Sequence, residues 1–175
     1  QIVVSRSFGQ RISNLRELRP IVSNFAVRAA EKLRNERQKC SQVSVFVRTS
    51  PFNRNKPQHS DLKTIELFTP TNDTRDILTA AKRGLLPIFK SGYDYAKAGI
   101  ILNKFSDEKT KQYSLFKDPN EPKQNMRLMK YLDQMNNYET QIYYASQNTK
   151  KWSPMKQNMT SPKYTTNWYE LPKVN

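Results

Sequence analysis

Two kinds of apolar spacing take turns along this chain, and their succession predicts an order of elements. Ile2 to Phe8 is short, β-branched and closed by Gly9, which predicts a strand. Asn14 with Glu17 three residues on has the spacing of a capping box. Beyond it Leu15, Leu18, Val22, Phe25, Ala29 and Leu33 recur at steps of three and four, one face of an amphipathic helix ending near Glu36. Pro20 is awkward inside it, so the helix either starts near Arg19 or bends. From Ser41 to Thr49 the period becomes two: Val43, Val45 and Val47 point one way, Ser44, Phe46 and Arg48 the other. A loop with Pro51, Asn53, Asn55 and Pro57 follows, then a second alternating run from Lys63 to Phe68, ended by Pro70. Thr71, Asn72 and Asp73 offer caps for a helix from about Thr74 to Phe89, carried by Ile77, Leu78, Ala81, Leu85 and Ile88 and frayed by Pro87. Tyr95 to Leu102 reads as a fourth strand, with Ala96, Ala98, Ile100 and Leu102 on one side and Lys97 on the other.

The order strand, helix, strand, strand, helix, strand is an α+β pattern. Its economical solution is two layers, a four-stranded sheet with both helices on one face. The other face stays open and carries Ser44, Arg48, Lys97 and some aromatics. From Ser106 the periodicity fades, and residues 106–124 read as a polar linker with Pro119 and Pro122. A short helix from about Asn125 to Asn136 shows Met126, Met129, Leu132 and Met135 on one face, and Gln141 to Ser146 has strand character. The remainder, through Trp152, Tyr164, Trp168 and Tyr169, is aromatic and irregular. The expected division is a domain over 1–105, the linker, and a mostly irregular C-terminal extension over 125–175.

Charge changes this picture most. The chain has 30 Lys and Arg against 15 Asp and Glu, a formal +15 with a pI near 10. Residues 1–105 hold 19 of those cations against 8 acids. A folded domain so charged most often meets a polyanion, commonly nucleic acid. One cysteine, Cys40, gives neither an intramolecular disulfide nor a cysteine-rich metal site, and it fits a reducing cytosol. One histidine, His59, without nearby Cys or acidic partners leaves no material for a metal site or a His-based triad. The closest acid pair, Asp73 and Asp76, is explained by capping and dipole compensation at a helix start. No run approaches the ~18 apolar residues of a membrane span, and no signal-peptide pattern is present. The first residue is Gln1 with a strand beginning at once, so a piece of a longer protein is expected.

In the linker lies Gln112-Tyr113-Ser114-Leu115-Phe116. A glutamine, two free positions and a Leu-Phe pair make a peptide that docks without a fold of its own. The apolar pair fills a partner's pocket and the amide supplies directional hydrogen bonds. Packing of the same pair against its own domain is the competing reading.

Ser5-Arg6-Ser7-Phe8-Gly9, Ala29-Ala30-Glu31-Lys32-Leu33-Arg34 and Val45-Phe46-Val47-Arg48-Thr49-Ser50-Pro51-Phe52 together resemble the UmuC branch of the Y-family translesion DNA polymerases. Asp73-Thr74-Arg75-Asp76-Ile77 and Tyr95-Ala96-Lys97-Ala98-Gly99 continue the match in order. Ser161-Pro162-Lys163-Tyr164-Thr165-Thr166-Asn167-Trp168 with Glu170-Leu171-Pro172 is similar to that branch's C-terminal extension. Asn136-Asn137-Tyr138-Glu139 departs from it, lacking a glycine after the tyrosine.

The resemblance implies that residues 1 to about 105 are the little finger, which grips primer-template DNA beside the active site. The DNA contacts it implies are Arg6 with the backbone around Ser7, Phe8 and Gly9, Arg48 with Thr49 and Ser50, and Lys97. It places a β sliding clamp-binding peptide at Gln112 to Phe116, with Leu115 and Phe116 as anchors and Gln112 as polar latch. It further implies a processed UmuD dimer and RecA as partners, the SOS response, and a bacterial, cytoplasmic, nucleoid-associated setting. Catalytic acids holding Mg²⁺ belong to a palm domain upstream, so this piece has no catalytic or metal residues of its own and is expected to be inactive alone. Two other classes fit the same features: an RNA-binding or ribosome-associated α+β module, and a clamp-binding adaptor without an attached polymerase.

Overall fold

The computed structural model describes residues 1–53, 55–109, 121–136, 142–147 and 160–171. Strand β1 (Ile2–Ile12) leads into helix α1 (Leu15–Asn35), strands β2 (Gln38–Thr49) and β3 (Ser60–Thr71), helix α2 (Thr74–Ile88) and strand β4 (Tyr95–Asp107). Helix α3 (Glu121–Asn136) and a 3-10 turn (Trp168–Glu170) belong to the extension. The four strands form one antiparallel sheet in the order β1-β4-β2-β3. Each helix therefore links two parallel strands separated by a third, so the fold is two interleaved split β-α-β units.

Sequence periodicity explains the layers. Val43, Val45 and Val47 of β2 and Ala98, Ile100 and Leu102 of β4 line the covered face. Leu18, Val22, Phe25 and Leu33 of α1 and Ile77, Leu85 and Ile88 of α2 lie against them. Asn14 caps α1, its side chain accepting the Arg16 N–H at 2.8 Å, and Asp73 caps α2 through Arg75 N–H at 2.8 Å. Asp76 accepts from the Thr71 hydroxyl at 2.8 Å, so the acid pair works at the helix start. Gly84 lets α2 approach the sheet, since a Cβ there would sit 3.2 Å from Val45 Cγ2.

Prolines punctuate less than the sequence predicts. Helix α1 runs from Leu15 through Pro20, whereas α2 ends at Ile88, one residue past Pro87 and close to the end expected for it. Strand β3 extends beyond Pro70 to Thr71, through an irregularity in its pairing with β2 between Glu66 and Thr71. As an edge strand, β3 has a side that needs no N–H from proline.

Helix α3 and residues 142–147 pack on this domain. Arg34, in the last turn of α1, grips Asp133 of α3 with Nε and Nη2, both at 2.6 Å. Its Nη1 donates to the Asn72 carbonyl and to Thr74 Oγ1 at 2.8 Å each, so one guanidinium ties α1, the start of α2 and α3 together. Gln147 Nε2 adds a bond to Asn24 Oδ1 at 3.1 Å. This contact rotates α3 away from the methionine stripe predicted for it. Met129 is buried and Leu132, Asp133 and Asn136 are partly so, while Met126 and Met135 are exposed. The strand expected at Gln141 to Ser146 does not form in its described part, which turns at Ala145 and Ser146 where Gln147 bonds Tyr144 through both backbone and side chain.

Gly99 sits at the centre of the sheet, and its missing side chain is occupied by neighbours. A Cβ there would run into Ser5 Cβ and lie 2.6 Å from Phe46 Cε1, so the aromatic ring covers the glycine. Gly99→Ala is expected to cost about 1–3 kcal/mol by overpacking. A urea denaturation curve checks this, and adding Phe46→Ala should return part of the loss because the ring is one of the two obstacles. An unmoved midpoint would mean that β1 and the ring yield freely.

Candidate nucleic-acid interface

The uncovered face takes every second residue of the strands, and the register sets them in rows. One row reads Ser7, Lys97, Arg48 and Ser60 across β1, β4, β2 and β3. The next reads Ser5, Gly99, Phe46 and Leu62, then Val3, Ile101, Ser44 and Thr64, and finally Asn103, Gln42 and Glu66.

The charges on these rows are unevenly answered. Glu66, the only acid among them, accepts from Lys104 Nζ and Gln42 Nε2 at 2.9 Å each. The Lys104 ammonium, then the Gln42 amide, hold its carboxyl below the ordinary carboxylate range. At the other end Lys97 and Arg48 are direct cross-strand partners, and like charges so placed repel. Neither is in an ion pair among the described residues. A bare cation pair flanked by two exposed serines is arranged to receive an anion with several oxygens. Beside it Phe46, Leu62 and Ile101 floor a shallow depression that Arg48, Ser60 and Lys97 rim. Asp61 also borders the depression, its Oδ1 accepting the Leu62 N–H at 2.8 Å.

The row's end is held rigidly. Thr49 N–H donates to the His59 carbonyl at 2.9 Å, and His59 N–H donates to Thr49 Oγ1 at 3.0 Å. The His59 ring bonds the Ile88 carbonyl through Nε2 at 3.0 Å and lies 5.0 Å from the Tyr93 ring. Tyr95 is fully buried, its hydroxyl accepting from Lys90 N–H and donating to Lys90 O. The base of the β2–β3 loop, and Arg48 beside it, are thereby fixed to the end of α2.

The structure divides the residues singled out from the sequence. Ser7, Arg48 and Lys97 come together in one row. Arg6 pairs with Ala98 and lies on the helix-covered side of edge strand β1, exposed but turned away from that row. The Phe8 side chain is buried in the core, away from the open face. Gly9 falls where β1 carries four residues between Ser7 and Ile12 against one, Ala96, between their partners on β4. Thr49 is buried with its hydroxyl engaged by His59, while Ser50 stays partly exposed at the loop's start. Gln112, Leu115 and Phe116 lie outside the described residues. Sequence reasoning missed Ser60, which precedes the alternating run used to place β3, and Leu62 of the apolar floor.

No metal-ligating cluster of three or more His, Cys, Asp or Glu occurs among the described residues. Cys40 is buried, and burial pushes its thiol up to about 12, so it stays protonated and is no nucleophile. No helix among the described residues is long and apolar enough to cross a membrane.

Comparison with known proteins finds two family models along the chain. The model of the impB/mucB/samB family C-terminal domain matches residues 1–115, and that of a domain of unknown function, DUF4113, matches residues 126–174. Protein UmuC of Salmonella typhimurium is 42% identical over 177 residues, covering 99% of this chain and 42% of that protein. Protein SamB of Salmonella typhimurium is 42% identical and protein MucB of Escherichia coli 43%, each covering 98% of this chain and 41% of the relative. The chain thus spans about two fifths of the length of these relatives. A much looser likeness, with TM-score 0.44 and 13% identity over 66% of this chain and 97% of that one, is to a complex of β-clamp processivity factor and the little finger domain of PolIV. With a family model matching its whole sheet domain and relatives above 40% identity along nearly its full length, the chain belongs to the impB/mucB/samB family.

Proposed function

We propose that this chain is the non-catalytic C-terminal part of an error-prone translesion DNA polymerase of the SOS response. Its sheet domain is the little finger that grips primer-template DNA, and Gln112 to Phe116 tether it to the β sliding clamp. The catalytic palm, with its Mg²⁺-holding acids, lies in the remainder of the parent protein, which works in the bacterial cytoplasm with a processed UmuD dimer and RecA. Family membership supports the parent assignment. The observation that carries DNA binding is the opposed pair Arg48 and Lys97, in no ion pair among the described residues, on an open sheet face between Ser7 and Ser60.

The cation pair and its serines answer the charged oxygens of the nucleic-acid backbone, and phosphate contacts of this kind carry no sequence information. Binding is therefore weakly sequence-dependent and strongly salt-dependent. With ~4 phosphates engaged, log affinity against log salt should fall with a slope near ~-3.6. Arg48→Ala/Lys97→Ala should reduce the slope's magnitude by about 1.8 and weaken binding to all duplex sequences alike. Anisotropy titrations of a primer-template at several salt concentrations test this. A parent slope near zero would end the phosphate-binding reading, and preference for structured RNA would favour an RNA-binding module.

A further inference from the structure

Trp168 and Tyr169 are 86% and 98% exposed, and Tyr164 is 50% exposed. The run that presents them is ordered by its own hydrogen bonds. Thr166 and Asn167 N–H groups return to the Lys163 carbonyl at 3.1 and 2.9 Å, and Asn167 Oδ1 accepts the Tyr169 N–H at 3.2 Å. Large aromatic surfaces held in water by a preformed turn mark a site of contact. The turn is a 3-10 helix, in which consecutive side chains diverge by about 120°. The Trp168 and Tyr169 rings consequently do not merge into one flat apolar patch. They offer two separate π-faces, which suit unstacked bases and not the closed side of a duplex.

Charge and composition select the occupant. Residues 148–175 carry five lysines against one glutamate, so an anionic partner is favoured. Between Thr160 and Leu171 the only aliphatic side chain apart from proline is Leu171 itself, too little for an apolar protein anchor of ordinary composition. Aromatic faces on a basic background are the chemistry of single-strand binding, where stacking tolerates any base. We infer that residues 160–171 are a stacking site for single-stranded DNA, separate from the open sheet face. The choice of DNA over RNA rests on the proposed function; the stacking does not.

The test compares two labelled probes on the whole chain: an oligothymidylate of about 15 nucleotides and an abasic deoxyribose-phosphate chain of equal length and charge. The parent should bind the oligothymidylate about 10-fold or more tightly than the abasic chain. Trp168→Ala/Tyr169→Ala should abolish that preference, and Trp168→Phe should keep most of it. Both side chains are exposed, so the fold is not at risk, and circular dichroism verifies this. Arg48→Ala/Lys97→Ala should weaken duplex binding yet leave the base preference intact, which separates this site from the sheet face. Equal binding of the two probes by the parent, or a preference that survives loss of both rings, would overturn the inference. The latter results would turn the exposed turn into a protein-docking element instead.

Discussion

Replacing Leu115 and Phe116 together by alanine should all but eliminate binding of this chain to a bacterial sliding clamp. Each anchor side chain contributes on the order of 2 kcal/mol when it fills a desolvated pocket. Loss of both amounts to about 4 kcal/mol, a weakening of roughly 10³-fold. A linear peptide has no large rim of contacts to compensate, since its affinity resides in those few side chains. Gln112→Ala should cost less, about 1 kcal/mol, because an amide hydrogen bond replaces one made with water. Calorimetric titration against a purified clamp, with parent and variants side by side, measures all three. Binding that survives in the double variant would return Leu115 and Phe116 to the ordinary task of covering their own domain. The salt slope of DNA binding should be the same in parent and variant, which keeps the two activities distinguishable.

The second large effect should come from Asp133. Arg34 is only 10% exposed in its side chain and gives Asp133 two parallel hydrogen bonds. Asp133→Ala leaves a buried guanidinium short of its counter-ion, a change that typically costs about 3–5 kcal/mol. Arg34 keeps its bonds to Asn72 and Thr74, so the lower end of that range is expected. The loss should appear as detachment of α3 before the sheet domain melts, seen as early hydrogen exchange at Met129 and its neighbours. Arg34→Met/Asp133→Leu, which removes both charges, should recover most of the stability because nothing is then left buried and unpaired. A single variant within about 0.5 kcal/mol of the parent would show that the extension is held by other contacts.

What the sequence revealed, and what it hid, follows from the range of the forces involved. Period-two valines at 43, 45 and 47 and the helical stripe from Leu18 to Leu33 are local consequences of one buried face, and both elements formed where expected. Asn14 and Asp73 were legible as caps because the cap is made within three residues. The ends of β1 and β3 were not. Gly9, Gln10 and Arg11 break alternation, yet β1 runs on to Ile12, and β3 passes Pro70, because neighbouring strands supply partners that spacing does not record. Among the proposed DNA contacts, residue type alone could not tell Arg6 from Arg48, since which side of a strand a residue faces depends on register. Ser60 drew no notice because its neighbours in the row come from strands made far away in the chain. By residue type Arg34 is one more cation among those of α1. Its two-handed hold on Asp133, 99 residues later, has no local signature, and that hold turned α3 so that Asp133 faces inward and Met126 and Met135 face out.

The strand order has a bearing on how the chain is born. Strand β1 is made first, yet its sheet neighbour is β4, with Ile2 opposite Leu102. The inner pair β2 and β4 likewise waits for the last strand. At a synthesis rate of roughly 5–20 residues per second, β1 emerges from the ribosome roughly 5–20 s before its partner. During that interval Ile2, Phe8 and the apolar stripe of α1 have no sheet to cover them, and only the hairpin of β2 and β3 can assemble. Closure is then a single late event set by residues 95–107, so a ribosome that pauses before Tyr95 holds an unfinished and adhesive chain. Rare slow codons are therefore least tolerable just upstream of β4, and a chaperone that shields nascent apolar segments has most to do there.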